Sequence, residues 1–104
     1  MSKRYATVLV EGTSMLPTYR AGDWLMAKWA SFKRSLRVGS VVVIEREEQP
    51  GIFYIKRISE ISPDGNRYFL LADNSDGNDS RTWGWLPADS IKAKILFRVR
   101  RTQK

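Results

Sequence analysis

The chain contains no cysteine and no histidine. Their absence removes Ser-His-Asp and Cys-His catalysis, thiol redox chemistry and the usual zinc sites. A hydrolase built from this sequence must activate its nucleophile with another base, lysine first and then aspartate or glutamate. No apolar run approaches the ~18 to 20 residues that a membrane span needs. No secretory leader is evident either. After Met1-Ser2-Lys3-Arg4, the apolar stretch from Tyr5 to Val10 is cut short by Glu11. The expectation is a soluble, cytoplasmic protein. Acids are the minority charge, 11 against 18 Lys and Arg, giving a formal net charge of +7. Such a surface can meet nucleic acid, anionic lipid or an acidic partner. The cations are spread along the chain, however, and only Arg98 to Lys104 is a dense run. A solvated basic face is therefore the plainer reading, and nucleic acid is not the expected partner.

What is present is enough for one modest core. The 104 residues amount to one domain, and 42% are hydrophobic. The dominant period is two, that of strands. Ile91, Ala93, Ile95, Phe97 and Val99 alternate with Lys92, Lys94, Leu96, Arg98 and Arg100, which predicts a half-buried strand. Strands are also expected over 5–11, 23–28, 52–61 and 67–72. Val41 to Ile44 is a β-branched run and predicts a strand covered on both faces. Pro63-Asp64-Gly65-Asn66 reads as a hairpin turn. Trp29 to Arg37 holds either a short helix or a loop. The expected fold is all-β, six or seven short strands in a small closed or folded-over domain.

Three stretches can carry chemistry. Ser14 follows a strand and Gly12-Thr13 and precedes Met15-Leu16-Pro17, a turn stiffened by proline. A serine so placed can be held over a cleft, with its own N–H aimed at a carbonyl oxygen. It can equally be a plain turn cap. In Phe53-Tyr54-Ile55-Lys56-Arg57-Ile58, a strand puts Tyr54, Lys56 and Ile58 on one face and Phe53, Ile55 and Arg57 on the other. One of the two cations then sits among apolar neighbours. A buried ammonium has a lowered pKa and can serve as a general base. The alternative is a lysine whose stem is buried and whose head is wet. Leu71 to Gly84 resembles a calcium loop only superficially: with Gly77 at its sixth position, the first is Ala72 and the twelfth is Trp83, where an acid is needed. No metal or other cofactor is expected. An ordered Asx-rich loop is the better reading, with Asp79 paired to Arg81 and with Asp73 and Asn74 tying down backbone N–H groups.

In order, the segments Gly12 to Thr18, Gly22-Asp23, Val38 to Val43, Lys56-Arg57-Ile58, Asp73-Asn74 and Asp79 to Pro87 resemble the signal peptidase I (S26) family of serine-lysine proteases. The resemblance runs over roughly residues 8 to 99. It implies a single peptidase catalytic domain over 1–104, of the fold type shared by signal peptidases and the LexA protease. It also implies Ser14 as nucleophile and Lys56 as general base. Thr13 and Met15 would border the oxyanion and substrate subsites, and Arg57, Asp73, Asn74, Ser75, Asp79 and Arg81 would brace the site. The expected substrate is a protein with an N-terminal leader. The lack of an anchor and of a large inserted β-domain resembles the compact branch that includes nickel-type superoxide dismutase maturation proteases. Departures are visible too. Gly12 stands where many members carry a hydroxyl that adds an oxyanion contact. Gly77 stands where many carry a serine that orients the lysine, a role Ser75 could take. Ala72 replaces the usual glycine before Asp-Asn.

Two rival readings remain. One is work at a membrane surface, with Trp24, Trp29 and Phe32 beside Lys28, Lys33 and Arg34 as an interfacial cluster. The other is a catalytically inactive β-module that binds an extended peptide or nucleic acid.

Overall fold

The computed structural model describes residues 4–74 and 78–102. Seven strands form one sheet: β1 (Tyr5–Leu9), β2 (Trp24–Lys28), β3 (Val41–Glu45), β4 (Phe53–Ile61), β5 (Arg67–Leu71), β6 (Leu86–Pro87) and β7 (Ile91–Arg100). Their order is β1-β2-β7-β3-β4-β5-β6, and the sheet curls into a half-barrel. Every pairing is antiparallel. The all-β expectation holds, and the sheet is folded over rather than closed, with β1 and β6 at its ends. A single helical turn, α1 (Ser80–Trp83), follows the loop after β5.

β3 shows why the sheet curls. Val41, Val42, Val43 and Ile44 are all buried. Alternation sends Val41 and Val43 into one cluster with Val10, Met15, Leu25, Ala27, Ala93 and Ile95. It sends Val42 and Ile44 into a second, with Phe32, Ile58, Tyr68, Leu70, Leu86 and Ile91. A strand wet on neither face needs cover on both, and the curled sheet with its loops supplies it. Each such side chain contributes about 1.5–3 kcal/mol by leaving water.

The turn at 63–66 is the hairpin between β4 and β5, closed by Ser62 N–H to the Arg67 carbonyl at 2.9 Å. Between Trp29 and Arg37 the chain is loop with one 3-10 turn, Lys33–Ser35. The two-residue strand β6 went unread because it is too short to show a period. The alternation expected along β7 holds for Ile91, Ala93 and Ile95, then fails: Phe97 and Val99 are exposed. The register with β2 shifts between Met26 and Ala27 and again between Trp24 and Leu25, and such irregularities turn the following side chains to the other face.

Asp23 ties the ends together. Its buried carboxylate accepts N–H bonds from Arg20 at 2.9 Å and Thr102 at 2.7 Å, and Arg98 approaches at 3.4 Å. Gly22 beside it has φ +97°, and a Cβ there would lie 2.6 Å from Thr102 Oγ1. Glycine is required at this point both by conformation and by space. No helix among the described residues is long and apolar enough to cross a membrane.

Candidate functional site

Ser14 sits in the turn that follows β1. The turn is closed by Leu16 N–H to the Thr13 carbonyl at 3.1 Å and Tyr19 N–H to the Met15 carbonyl at 2.9 Å. Met15 is buried in the first cluster and anchors the turn from below. The loop after β5 docks on it: Asn74 N–H donates to the Ser14 carbonyl at 2.8 Å, and Asn74 Nδ2 to the Thr13 carbonyl at 3.0 Å. Ser14's own N–H makes no hydrogen bond among the described residues. Gly12 has φ +77°, so the backbone itself selects glycine at this position.

Ser14 lines a cleft of about 420 Å³ between β1 and β4. Val8, Val10 and Met15 form one wall, Phe53, Tyr54 and Ile55 the other, with Val43 between them. Trp29 reaches across it. Its indole donates to the Ala6 carbonyl at 3.3 Å, and its ring meets Phe53 edge-on at 6.2 Å.

Lys56 is the buried cation of the pair on β4, 1% exposed, while Arg57 faces partly to water. As alternation requires, it shares a face with Tyr54 and Ile58. Its ammonium lies 5.4 Å from the Tyr54 ring centre and 5.6 Å from that of Trp83. Burial pushes the Lys56 pKa below its ordinary value; the Asp79 carboxylate pulls it back and Arg81 opposes that pull. The Lys56 ammonium makes no hydrogen bond among the described residues, to Ser14 or to any other group. Lys56 is also not among the residues that line the cleft.

Two carboxylates hold the surrounding loops. Asp73 takes a bidentate bond from Arg57 Nε and Nη2, both at 2.9 Å, and one from the Thr18 hydroxyl at 2.6 Å. Arg57 Nη1 continues to the Gly39 carbonyl at 2.8 Å. These bonds keep the Asp73 carboxyl below its usual pKa, the Arg57 contact most of all. Asp79 is 1% exposed. It caps α1 and accepts from the N–H groups of Ala72 at 2.8 Å and Arg81 at 2.9 Å, and from Arg81 Nη2 at 2.8 Å. Burial works to raise its pKa, but these donors outweigh it and hold the carboxyl low. Ser80 Oγ accepts from Leu70 N–H at 2.9 Å and stitches α1 to β5.

The expected Asp79–Arg81 pair is therefore present. The role expected of Asp73 is corrected, since it binds the Arg57 and Thr18 side chains, while Asn74 ties the loop to the Ser14 turn through the Thr13 and Ser14 carbonyls. The assignments resting on Ser75 and Gly77 lie outside the described residues. Thr13 offers its carbonyl to the site's scaffold, and its side chain is exposed. Of the three aromatics in the proposed interfacial cluster, Phe32 is core, Trp29 is partly buried and Trp24 is exposed, whereas Lys33 and Arg34 are exposed. Sequence reasoning missed Thr18, Trp83 and Arg46, whose places depend on loop closure. Tyr54 was findable from its spacing of two from Lys56.

A family model described as signal peptidase, peptidase S26, matches residues 3–65. The match spans more than half of the chain and includes Ser14, Lys56 and Arg57, whereas Asp73, Asn74, Asp79 and Arg81 lie beyond it. None of the curated proteins compared matches the chain. With its family model matched across β1 to β4, the chain belongs to the signal peptidase family, peptidase S26.

Proposed function

We propose that this chain is a serine endopeptidase that removes an N-terminal leader from a protein substrate, with Ser14 as nucleophile and Lys56 as general base. The observation that carries the reading is Lys56 itself, a lysine 1% exposed whose ammonium has no hydrogen bond among the described residues and whose pKa is lowered by burial. Such a lysine is costly to keep, and service as a base, which the lowered pKa favours, is a reason to keep it. The cleft supports the reading further. An extended peptide fits between β1 and β4, with main-chain groups against strand backbone and side chains in the apolar walls.

The steps follow from these groups. Neutral Lys56 Nζ takes the Ser14 hydroxyl proton as Oγ bonds to the scissile carbonyl carbon. The oxyanion that forms accepts a hydrogen bond from Ser14 N–H. On collapse the C–N bond breaks, and Lys56 returns the proton to the leaving amine. Water, deprotonated by Lys56, then attacks the acyl carbon, the C–Oγ bond breaks as Lys56 returns that proton to Ser14 Oγ, and the new carboxyl terminus leaves.

Peptides carrying candidate leaders, the leader of nickel-type superoxide dismutase among them, test the proposal. Cleavage that disappears in both Ser14→Ala and Lys56→Met is the expected result. Binding without any product would instead support the inactive β-module.

A second reading concerns location. Tyr5, Leu9, Trp24 and Phe97 are exposed, and the register places them on one face of β1, β2 and β7, with Lys28 and Arg100 alongside. Apolar residues rimmed by cations suit a peripheral contact with anionic lipid. Sedimentation with anionic vesicles at low salt is the expected outcome, and no sedimentation removes this reading.

A further inference from the structure

Trp83 has a second cation against it. The Arg46 guanidinium, just past β3, lies 4.5 Å from the Trp83 ring centre. The Tyr54 and Trp83 rings lie 5.1 Å apart. Arg46 Nη1 donates to Gln49 Oε1 at 3.1 Å, and the Tyr54 hydroxyl donates to the same oxygen at 2.9 Å. Arg46 thus holds both rings that flank Lys56, Trp83 by its face and Tyr54 through Gln49. Its Nη2 is 3.8 Å from Glu48, while its Nε is buried with no hydrogen-bond partner among the described residues. A guanidinium left partly unpaired out of water is not a stabilising feature by itself. Its placement needs another explanation.

We infer that Arg46, acting with Gln49, is a positioning residue that clamps Tyr54 and Trp83 around Lys56 and keeps water from its ammonium. The inference builds on the reading of Lys56 as general base. A planar guanidinium suits the work because it can stack on a ring and donate in its own plane at once.

Among the described residues, the charged and titratable groups that act on Lys56 are Asp79 and Arg81 from the α1 segment and Tyr54 from β4, with Arg46 behind the Trp83 ring and Tyr68 of β5 in the cluster on the same side of the sheet. Lys94 of β7 is on the same face beyond Val42 and is turned to the Ser35 carbonyl at 3.0 Å.

The test is a titration of the labelled lysine Cε resonances in the full chain, with Lys56 identified by its loss in Lys56→Met. In Arg46→Met and in Gln49→Leu, water enters and the Lys56 titration moves toward the ordinary lysine value. Arg46→Lys keeps the charge without the planar stack, and moves it likewise. Leader cleavage at neutral pH falls on the order of tenfold in kcat, with KM unchanged. A Lys56 titration unmoved in both Arg46→Met and Gln49→Leu overturns the inference. So does full restoration by Arg46→Lys, since charge alone would then suffice. If the titration moves as expected but the unaltered chain cleaves no leader, the clamp stands and the protease reading falls.

Discussion

Lys56→Met is predicted to make the chain more stable while abolishing cleavage. Removing a charge from a buried position recovers a desolvation penalty of several kcal/mol. Three terms oppose that gain. The Tyr54 and Trp83 ring faces stabilise the ammonium by ~0.5–2 kcal/mol each. Asp79 attracts it, though that carboxylate already serves Arg81 and two N–H groups. Methionine fills nearly the volume of the lysine stem, so no large cavity forms. The balance is about 2 kcal/mol in favour of methionine at neutral pH, or roughly 8–16 °C in Tm for a chain of this size. Proton linkage adds a signature. The folded pKa of Lys56 lies below its unfolded value of 10.5, so in the window between them the unfolded chain binds more protons. Stability of the unaltered chain therefore rises with pH through that window, whereas Lys56→Met lacks this contribution. The gap between the two proteins should narrow as the pH approaches 10.5. Thermal and urea unfolding followed by circular dichroism measure both quantities. A methionine variant less stable than its parent at neutral pH, or a gap that does not change with pH, would refute the reasoning.

Other consequences are as direct. Asp23, Asp73 and Asp79 each have a pKa held below 3.8 in the folded chain, so the stability they give is complete above that value and lost as pH falls through their folded pKa values. Acid unfolding should begin near that point, and Asp73→Asn should weaken its pH dependence. Asp79→Ala leaves the N–H groups of Ala72 and Arg81 unpaired and should cost about 3–5 kcal/mol, seen as a collapse of the urea midpoint. Gly22→Ala combines a positive φ with a Cβ pressed on Thr102 and should cost roughly 2 kcal/mol by the same assay. Gly12→Ala meets no neighbour within 4 Å, so its cost of about 1 kcal/mol comes from backbone conformation alone.

Much of this was legible in the residues themselves. Alternation along Phe53 to Ile58 fixed which residues share the face of Lys56, and the apolar run at Val41 to Ile44 announced a strand covered on both sides. Turn chemistry located the β4–β5 hairpin. The Asp-x-Arg spacing at Asp79 and Arg81 announced their pair, because the two are close in sequence. Contacts that depend on long closures were not legible. Arg46 and Trp83 are far apart in the chain, and nothing in either neighbourhood signals a stack. Asp73 has no local feature that selects Arg57 over a backbone N–H as its partner. The reversal of Phe97 and Val99 comes from irregular register with β2, which a repeating pattern conceals. The reasons for glycine at 12 and 22 were not legible either: a positive φ selects the first, and a positive φ with the approach of Thr102 selects the second.

The central claim is that Lys56 activates Ser14. Intact-mass spectrometry of the chain treated with an acylating serine-protease probe, as a function of pH, tests it most directly. One adduct, on Ser14, should form at a rate that rises through the lowered Lys56 titration, and it should be absent in both Ser14→Ala and Lys56→Met. An adduct that forms equally fast in Lys56→Met, or on another residue, would contradict the claim.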